Sequence, residues 1–250
     1  MTFQSLRCAS RRRVAIAAAT LVVGIIPCAA AAQQSAAPSE VFVLATLYGR
    51  HASTPAYGHA ELRGLIERIR PDVVVLDVSP RELREQTVAA SKREYPEVIF
   101  PLVRQHRYRA YAGEPDEPEF STIVGQLSRA LASFRSEQPA LAAADREYER
   151  AIFSALAQSW RTPADVNGAL TDQLLAARRA YQDGVAGAQV GDAWRRWNAH
   201  AVSTVVRAHR ENPGKRILVL VGVENCPRLR ADLAGVPGLR LVDMERWLSD

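Results

Sequence analysis

The sequence predicts an α/β fold in which a mostly parallel sheet of about five strands is flanked by helices. Five short apolar runs have strand length and no polar alternation, which is typical of strands buried on both faces. Between the first three runs, apolar residues recur at helical spacing. This alternation of strand and helix indicates parallel strands joined by crossover helices. The five runs are residues 41–47, 73–78, 108–112, 217–221 and 239–242.

The helices are predicted from capping residues and apolar spacing. The first follows the Ser-Thr-Pro run at 53–55, because Leu62, Ile66 and Ile69 recur at helical spacing before Pro71. Ser79-Pro80 begins a second helix, and a third is predicted at 96–106. A short helix is expected at 227–233. Together these elements predict a single α/β domain over residues 41–250.

A helical insertion is predicted at about residues 119–211. Its composition changes to Ala, Leu, Arg, Glu and Gln with almost no strand signal, and breaks at 139, 161–163 and 184–191 divide it into about four helices. Trp194, Trp197 and Val205 lie on one helical stripe, which is more typical of a core face than of a ligand platform. The many arginines of this region have acidic neighbours and indicate solvated faces.

The N-terminal residues predict export. A basic segment with Arg7 and the arginines at 11–13 precedes an apolar run at 14–27 and small residues through Ala32, in the order of a cleaved signal peptide. The apolar run is shorter than the roughly 20 residues of a membrane span, so no integral span is expected. The sequence therefore predicts a signal peptide at 1–32, a polar tether at 33–40 and a periplasmic or secreted location. The twin-arginine route stays open beside the general one.

Composition and charge exclude several classes of protein. With 48% hydrophobic and 24% charged residues, the 250-residue chain has the balance of an ordinary globular protein. Its formal charge is +5, but residues 1–32 hold four of the 32 basic and none of the 27 acidic residues, which leaves +1 for residues 33–250. No nucleic-acid partner is therefore expected. Cys226 is the single cysteine after residue 32, so no intramolecular disulfide is expected there.

Polar residues follow most of the predicted strands. In open α/β sheets, ligands bind beyond the carboxyl ends of the strands, so these residues are the candidate site. Carboxylates and a histidine there would ligate a divalent metal or supply an acid and a base with separated pKa values. The alternative is that the acids cap helices and bond loop amides. The candidates are Tyr48, Arg50, His51, Asp77, Glu114, Glu224 and Asn225.

Common nucleotide and hydrolase motifs do not occur in the sequence. It contains neither GxGxxG nor GxxxxGK[ST], which argues against dinucleotide and P-loop binding. It also has no GxSxG nucleophile elbow, and its histidines form no HExxH or HxH pair. His51 is the favoured histidine, because it lies in the first strand-to-helix loop.

Three segments resemble a known superfamily. They read VLATLYGRH at 43–51, RPDVVVLD at 70–77 and ILVLVGVEN at 217–225. They are similar to the superfamily that joins TraB/GumN-type proteins, Tiki metalloproteases, ChaN-like haem-binding proteins and erythromycin esterases. The group has Gly-x-x-His after its first and late strands and an acidic residue after its second. Here those positions are Ala45-x-x-Tyr48, Gly222-x-x-Asn225 and Asp77, so both family histidines are replaced.

The resemblance implies an exported hydrolase that uses a divalent metal, namely manganese, cobalt or zinc, to cleave a peptide or an ester. His51, Asp77 and Glu224 would form the metal shell. Glu224 or Glu114 would act as the general base, and His51 would take over the role of a lost histidine. Tyr48, Arg50 and Asn225 are the expected cofactor-binding residues.

Two alternatives stay open. One is a non-catalytic envelope protein that binds a small molecule or peptide in the same cleft, or haem with Tyr48 or His51 as the axial ligand. The other is a purely structural envelope protein. The sequence does not indicate the oligomeric state.

Overall fold

The computed structural model describes residues 37–250, in which five parallel strands form one sheet. The order across the sheet is β3-β2-β4-β1-β5, and every neighbouring pair is parallel. This confirms the predicted α/β fold. The strands are β1 (Ser39–Thr46), β2 (Val73–Leu76), β3 (Arg109–Ala112), β4 (Ile217–Gly222) and β5 (Leu239–Leu241).

The two longest strands form the centre of the sheet. β1 pairs with β4 from Val41↔Ile217 to Thr46↔Gly222, and nearly every residue of both strands is buried. Helices cover both faces of such a sheet, so alternation disappears and the strands are continuous apolar runs. The predicted signal peptide and the first half of the predicted tether, residues 33–36, lie outside the described residues. The tether ends earlier than expected, because Ser39 and Glu40 already pair with β5.

Three helices follow the first two strands. They are α1 (His59–Ile69), α2 (Pro80–Glu85) and α3 (Phe100–His106), and a π-helical turn at Tyr95–Ile99 leads into α3. Ser79 caps α2 by accepting a hydrogen bond from the Glu82 amide while the Glu82 carboxylate accepts one from the Ser79 amide. The first three predicted helices therefore appear near their predicted positions.

The insertion is wholly helical. It contains α4 (Glu119–Glu137), α5 (Pro139–Ser159), the single turn α6 (Pro163–Val166), α7 (Ala169–Ala186) and α8 (Ala188–Glu211). The expected break at 184–191 is only one residue long. Gly187 has φ of +88°, a conformation that glycine adopts without strain, and α8 begins directly after it.

Polar contacts fasten the insertion to the sheet. The Asn167 side-chain carbonyl, after α6, accepts a hydrogen bond from the Ala45 amide at 2.9 Å. Two helices follow the last long strand, namely α9 (Cys226–Ala234) and α10 (Met244–Ser249). Arg230 on α9 donates through Nη2 to the Val43 carbonyl at 2.9 Å and to Asn167, and through Nη1 to both carboxylate oxygens of Asp172. None of the helices within 37–250 has the length and apolar character that crossing a membrane requires.

Candidate functional site

The carboxyl ends of β1, β2 and β4 meet at one edge of the sheet because the strands are parallel. Tyr48 follows β1, Asp77 follows β2, and Gly222 ends β4. The Tyr48 hydroxyl donates a hydrogen bond to Asp77 Oδ2, which also accepts one from the Gly222 amide at 3.4 Å. Tyr48 has φ of +52°, an uncommon conformation for a residue with a side chain. Burial and Asp77 raise the pKa of Tyr48 well above its usual value, so its phenol is neutral.

A lysine lies between the two strand-end carboxylates. Lys92 Nζ donates to Glu114 Oε1 at 2.5 Å and to the Asp77 main-chain carbonyl at 2.5 Å, and it is 3.9 Å from Asp77 Oδ2. Burial lowers the pKa of Lys92, but Asp77 and Glu114 outweigh burial and the net shift is upward. Burial and Asp77 raise the pKa of Glu114, although the Lys92 ammonium opposes that rise. An internal ammonium thus compensates Asp77, which was expected to bind a metal, and Glu114, which was expected to act as a general base.

Glu94, two residues after Lys92 in the chain, adds a further carboxyl group. Its side chain is fully buried, and neither carboxyl oxygen has a hydrogen-bond partner within the described part of the chain. Burial raises the pKa of Glu94 to about 7, against the opposing effect of Lys92. A buried carboxyl without partners favours its neutral form. We refer to Tyr48, Asp77, Lys92, Glu94 and Glu114 as the strand-end cluster.

His51 does not join the strand-end cluster through either ring nitrogen. Its Nε2 accepts a hydrogen bond from the Leu47 amide at 2.9 Å, and these partners assign the proton to Nδ1, which donates to the Tyr57 carbonyl at 2.7 Å. Burial lowers the pKa of His51 to about 4, so the ring is neutral at ordinary pH. Both nitrogens are used to hold the loop after β1. In this arrangement neither ring nitrogen is free to bind a metal or a haem iron or to take up a proton, and the expected role of His51 stays a prediction from sequence.

Arg50 and Glu224, two other expected site residues, contact groups outside the strand-end cluster. Arg50 lies over the Phe153 ring, with its guanidinium carbon 4.0 Å from the ring centroid. Glu224 is half-exposed and faces Arg179 rather than Asp77. Within residues 37–250, no group of three or more His, Cys, Asp or Glu side chains is placed to hold a metal ion. The residues expected to hold a metal therefore do not fit it, and the Tyr48 hydroxyl, bonded to Asp77, does not fit a haem iron.

A cavity of about 320 Å³ opens beside the turn between β4 and α9. Helix α7 forms one wall with Leu175, Ala176 and Ala180, and α8 forms another with Gly191 and Trp194. The expected site residues Glu224 and Asn225 lie at the third side, on the turn itself. The cavity is thus bounded by the helical insertion and by one strand end of the sheet. We refer to it as the insertion cleft.

Arg179 is one of five charged residues that line the insertion cleft, with Asp183, Arg195, Glu224 and Arg228. Its guanidinium carbon lies 4.1 Å from the Trp194 ring centroid, and Nη1 donates to Gln182 Oε1 at 2.8 Å. Its Nη2 is 4.0 Å from Glu224 Oε2, which is too far for a hydrogen bond. Burial lowers the pKa of Arg179, and the nearby carboxylates do not fully offset this effect. The cleft therefore presents a partly desolvated cation with unused donors.

Sequence reasoning missed the residues that carry this arrangement. Arg179 belongs to the arginines that were expected on solvated faces, and Trp194 lines the cleft although its stripe predicted core.

Lys92, in the strand-end cluster, was distinguished in the sequence only by its residue type. Of the 32 basic residues 30 are arginine, and only Lys92 and Lys215 are lysine. The ammonium of lysine is more compact than a guanidinium and lacks its planar array of donors.

Comparisons with known proteins do not assign the chain. No protein-family model matches it, and no curated protein and no solved structure matches it at a significant level. The resemblance to the TraB/GumN and Tiki superfamily therefore stays a prediction from sequence.

Proposed function

We propose that the protein is a non-catalytic binding protein that holds a small organic anion in the insertion cleft. The observation that carries this proposal is Arg179, stacked on Trp194 and facing a cavity of about 320 Å³. Cavities of roughly 300–1,000 Å³ with apolar walls and a few polar groups are the usual size and composition of small-molecule sites.

The electrostatics of the cleft favour an anion. Arg179 is only 23% exposed and makes a single side-chain hydrogen bond within the described residues. An arginine cannot relieve burial by losing its proton, because its pKa lies far above ordinary pH. A bound carboxylate would accept two parallel hydrogen bonds from the guanidinium and so use donors that Glu224, at 4.0 Å, does not reach.

The strand-end cluster supports a binding role rather than hydrolysis. A metal-assisted hydrolase requires open coordination positions on carboxylates and histidines, and a water held by the metal. Here Lys92 compensates Asp77 and Glu114, and main-chain groups occupy His51. The hydrolase, the family membership and the exported location stay predictions from sequence.

The test is carboxylate binding by the purified protein, measured by isothermal titration calorimetry and thermal shift. We expect 3-phenylpropionate to bind and to raise the melting temperature. In an Arg179→Gln variant its affinity should fall by about 10- to 100-fold, since a hydrogen bond to a charged group contributes about 1.5–3 kcal/mol. The exposed Arg135→Gln variant is the matched control and should bind as the wild type does.

Two outcomes would contradict the proposal. One is unchanged affinity in Arg179→Gln, which would place the anion elsewhere. The other is binding of 2-phenylethylamine in preference to 3-phenylpropionate, which would mean that the cleft selects cations.

A further inference from the structure

The two carboxylates of the insertion cleft, Asp183 and Glu224, accept no hydrogen bond from the described residues. Asp183 Oδ1 is buried, and a buried acceptor without a partner is unfavourable. The cleft thus holds unused acceptors beside the unused donors of Arg179.

The spacing of these groups fits two adjacent charges of opposite sign. Arg179 Nη2 and Glu224 Oε2 are 4.0 Å apart, so neither satisfies the other by a hydrogen bond. In an α-amino acid the ammonium nitrogen and the nearer carboxylate oxygen are roughly 3 Å apart, as covalent geometry requires. A carboxylate on Arg179 and an ammonium on Glu224, each at about 2.8 Å, would lie side by side across this gap.

We infer that the anion held in the insertion cleft is the carboxylate of a free α-amino acid with an apolar side chain. This inference rests on the proposed function. The carboxylate would bind Arg179, and the ammonium would bind Glu224, with Asp183 as a further acceptor. The apolar wall of Leu175, Ala176, Ala180, Pro227 and Ala231 would contact the side chain.

The size of the cleft agrees with this class of ligand. At about 320 Å³ it is at the lower end of small-molecule cavities. Arg179 already covers one face of the Trp194 ring, so a simple amine would meet the guanidinium on that side. An apolar amino acid uses every charged and apolar feature named here, whereas a fatty acid would leave Glu224 and Asp183 without partners.

The experiment compares three compounds that share one ring. L-phenylalanine, 3-phenylpropionate and 2-phenylethylamine differ only in their ammonium and carboxylate groups. We expect calorimetry on the purified protein to give at least about 10-fold tighter binding of L-phenylalanine than of 3-phenylpropionate, because the former adds a hydrogen bond between charged groups. 2-Phenylethylamine should bind more weakly than both.

Variants then locate the ammonium. In Glu224→Gln the affinity ratio of L-phenylalanine to 3-phenylpropionate should fall towards one, and 3-phenylpropionate should bind more tightly because a repelling carboxylate is gone. Arg179→Gln should weaken both compounds. The exposed Glu137→Gln variant is the charge-matched control and should keep the wild-type ratio.

The outcomes separate this inference from the proposed function. Equal affinities of L-phenylalanine and 3-phenylpropionate in the wild type would overturn the amino-acid inference while the anion site stands. A preference for L-phenylalanine that survives in Glu224→Gln would overturn the assignment of the ammonium to Glu224. Absence of binding by either carboxylate would overturn both the inference and the proposed function.

Discussion

Lys92 is the residue on which the electrostatics of the strand ends depend. It is one of two lysines in the chain, its side chain is 14% exposed, and it contacts groups from the ends of both β2 and β3. A buried ion pair adds little stability compared with apolar residues, but removing one partner leaves a buried charge without compensation. Lys92 therefore matters mainly because Asp77 and Glu114 are already buried.

Replacing Lys92 with methionine should destabilise the protein by about 3–5 kcal/mol at pH 8, as expected when one partner of a buried ion pair is removed. The loss should be smaller at pH 5, because burial raises the pKa of Glu114 and its protonation then removes part of the uncompensated charge. Urea unfolding at both pH values measures this. Lys215→Met, at an exposed pair with Asp72, is the control and should change stability by less than about 1 kcal/mol. Equal losses for the two variants would contradict the role of Lys92.

Glu94 predicts a pH effect of definite sign. Its folded-state pKa is raised to about 7 from an ordinary value of 4.5, so the folded state binds its proton more tightly than the unfolded state does. The stabilisation is fully present below about pH 4.5 and is lost as pH rises through 7. The shift corresponds to a change on the order of 3 kcal/mol.

The Glu94→Gln variant should lack this slope. Relative to the wild type, its free energy of unfolding should improve between pH 5 and pH 8 by up to about 3 kcal/mol. His51, whose pKa is lowered to about 4, titrates with the opposite sign in an overlapping range, so the difference between variant and wild type is the quantity to measure. Urea unfolding across this range supplies it. Parallel pH profiles of the two proteins would contradict a buried, protonated Glu94.

At the scale of elements, the turn from β4 to α9 joins the two polar regions. Gly222 ends β4 and donates to Asp77 in the strand-end cluster, and Glu224 and Asn225 follow within three residues at the insertion cleft. The Tyr48 hydroxyl and ring fill the space that a Cβ at residue 222 would occupy. Tyr48 Cζ lies 2.6 Å from the position of that Cβ. The absence of a side chain at residue 222 is therefore what lets Tyr48 reach Asp77.

A Gly222→Ala substitution should destabilise the protein by more than about 2 kcal/mol, since overpacking of a dense core typically costs about 1–3 kcal/mol and the Tyr48–Asp77 hydrogen bond is also displaced. Chemical unfolding measures the loss. Gly64→Ala, in α1 with open space around its Cα, is the control and should stabilise the helix by up to about 1 kcal/mol. Adding Tyr48→Ala to Gly222→Ala should recover part of the steric cost. A Gly222→Ala protein as stable as the wild type would show that Tyr48 moves freely.

At the scale of the whole molecule, the arrangement of strands was predictable and the site was only partly so. Apolar runs located all five strands, because a sheet covered on both faces allows no polar alternation. Parallel strands then predicted that Tyr48 and Asp77 meet at one edge. The use of both His51 nitrogens by main-chain groups could not be predicted, since nothing in the sequence indicates which carbonyl a loop brings to a ring.

The contribution of the segment between α2 and α3 to the site could not be predicted for a different reason. This segment has no apolar periodicity, so nothing in the sequence pointed to Glu94, and only the rarity of lysine distinguished Lys92. Arg179 could not be singled out from the sequence because it is one of 30 arginines. Short elements such as α10 were missed because six residues contain too little periodicity.

Divalent metals test the whole molecule against the prediction from its family resemblance. We expect that Mn²⁺, Co²⁺ or Zn²⁺, added to the purified protein after treatment with EDTA, leaves the melting temperature unchanged, because a ligand stabilises only the state that binds it. Differential scanning calorimetry with and without each metal measures this. A rise in melting temperature that Asp77→Asn abolishes would restore the metal site at the strand ends.

Because the chain has only two lysines, chemical labelling of lysine can report the local unfolding of the protein. Lys215 is 56% exposed, whereas Lys92 is buried among carboxylates, so an amine-acylating reagent should modify Lys215 before Lys92. Acylation of Lys92 requires the edge of the sheet at β2 and β3 to open. The appearance of that additional label in a mass spectrum would therefore time the local unfolding of this edge, without an introduced probe.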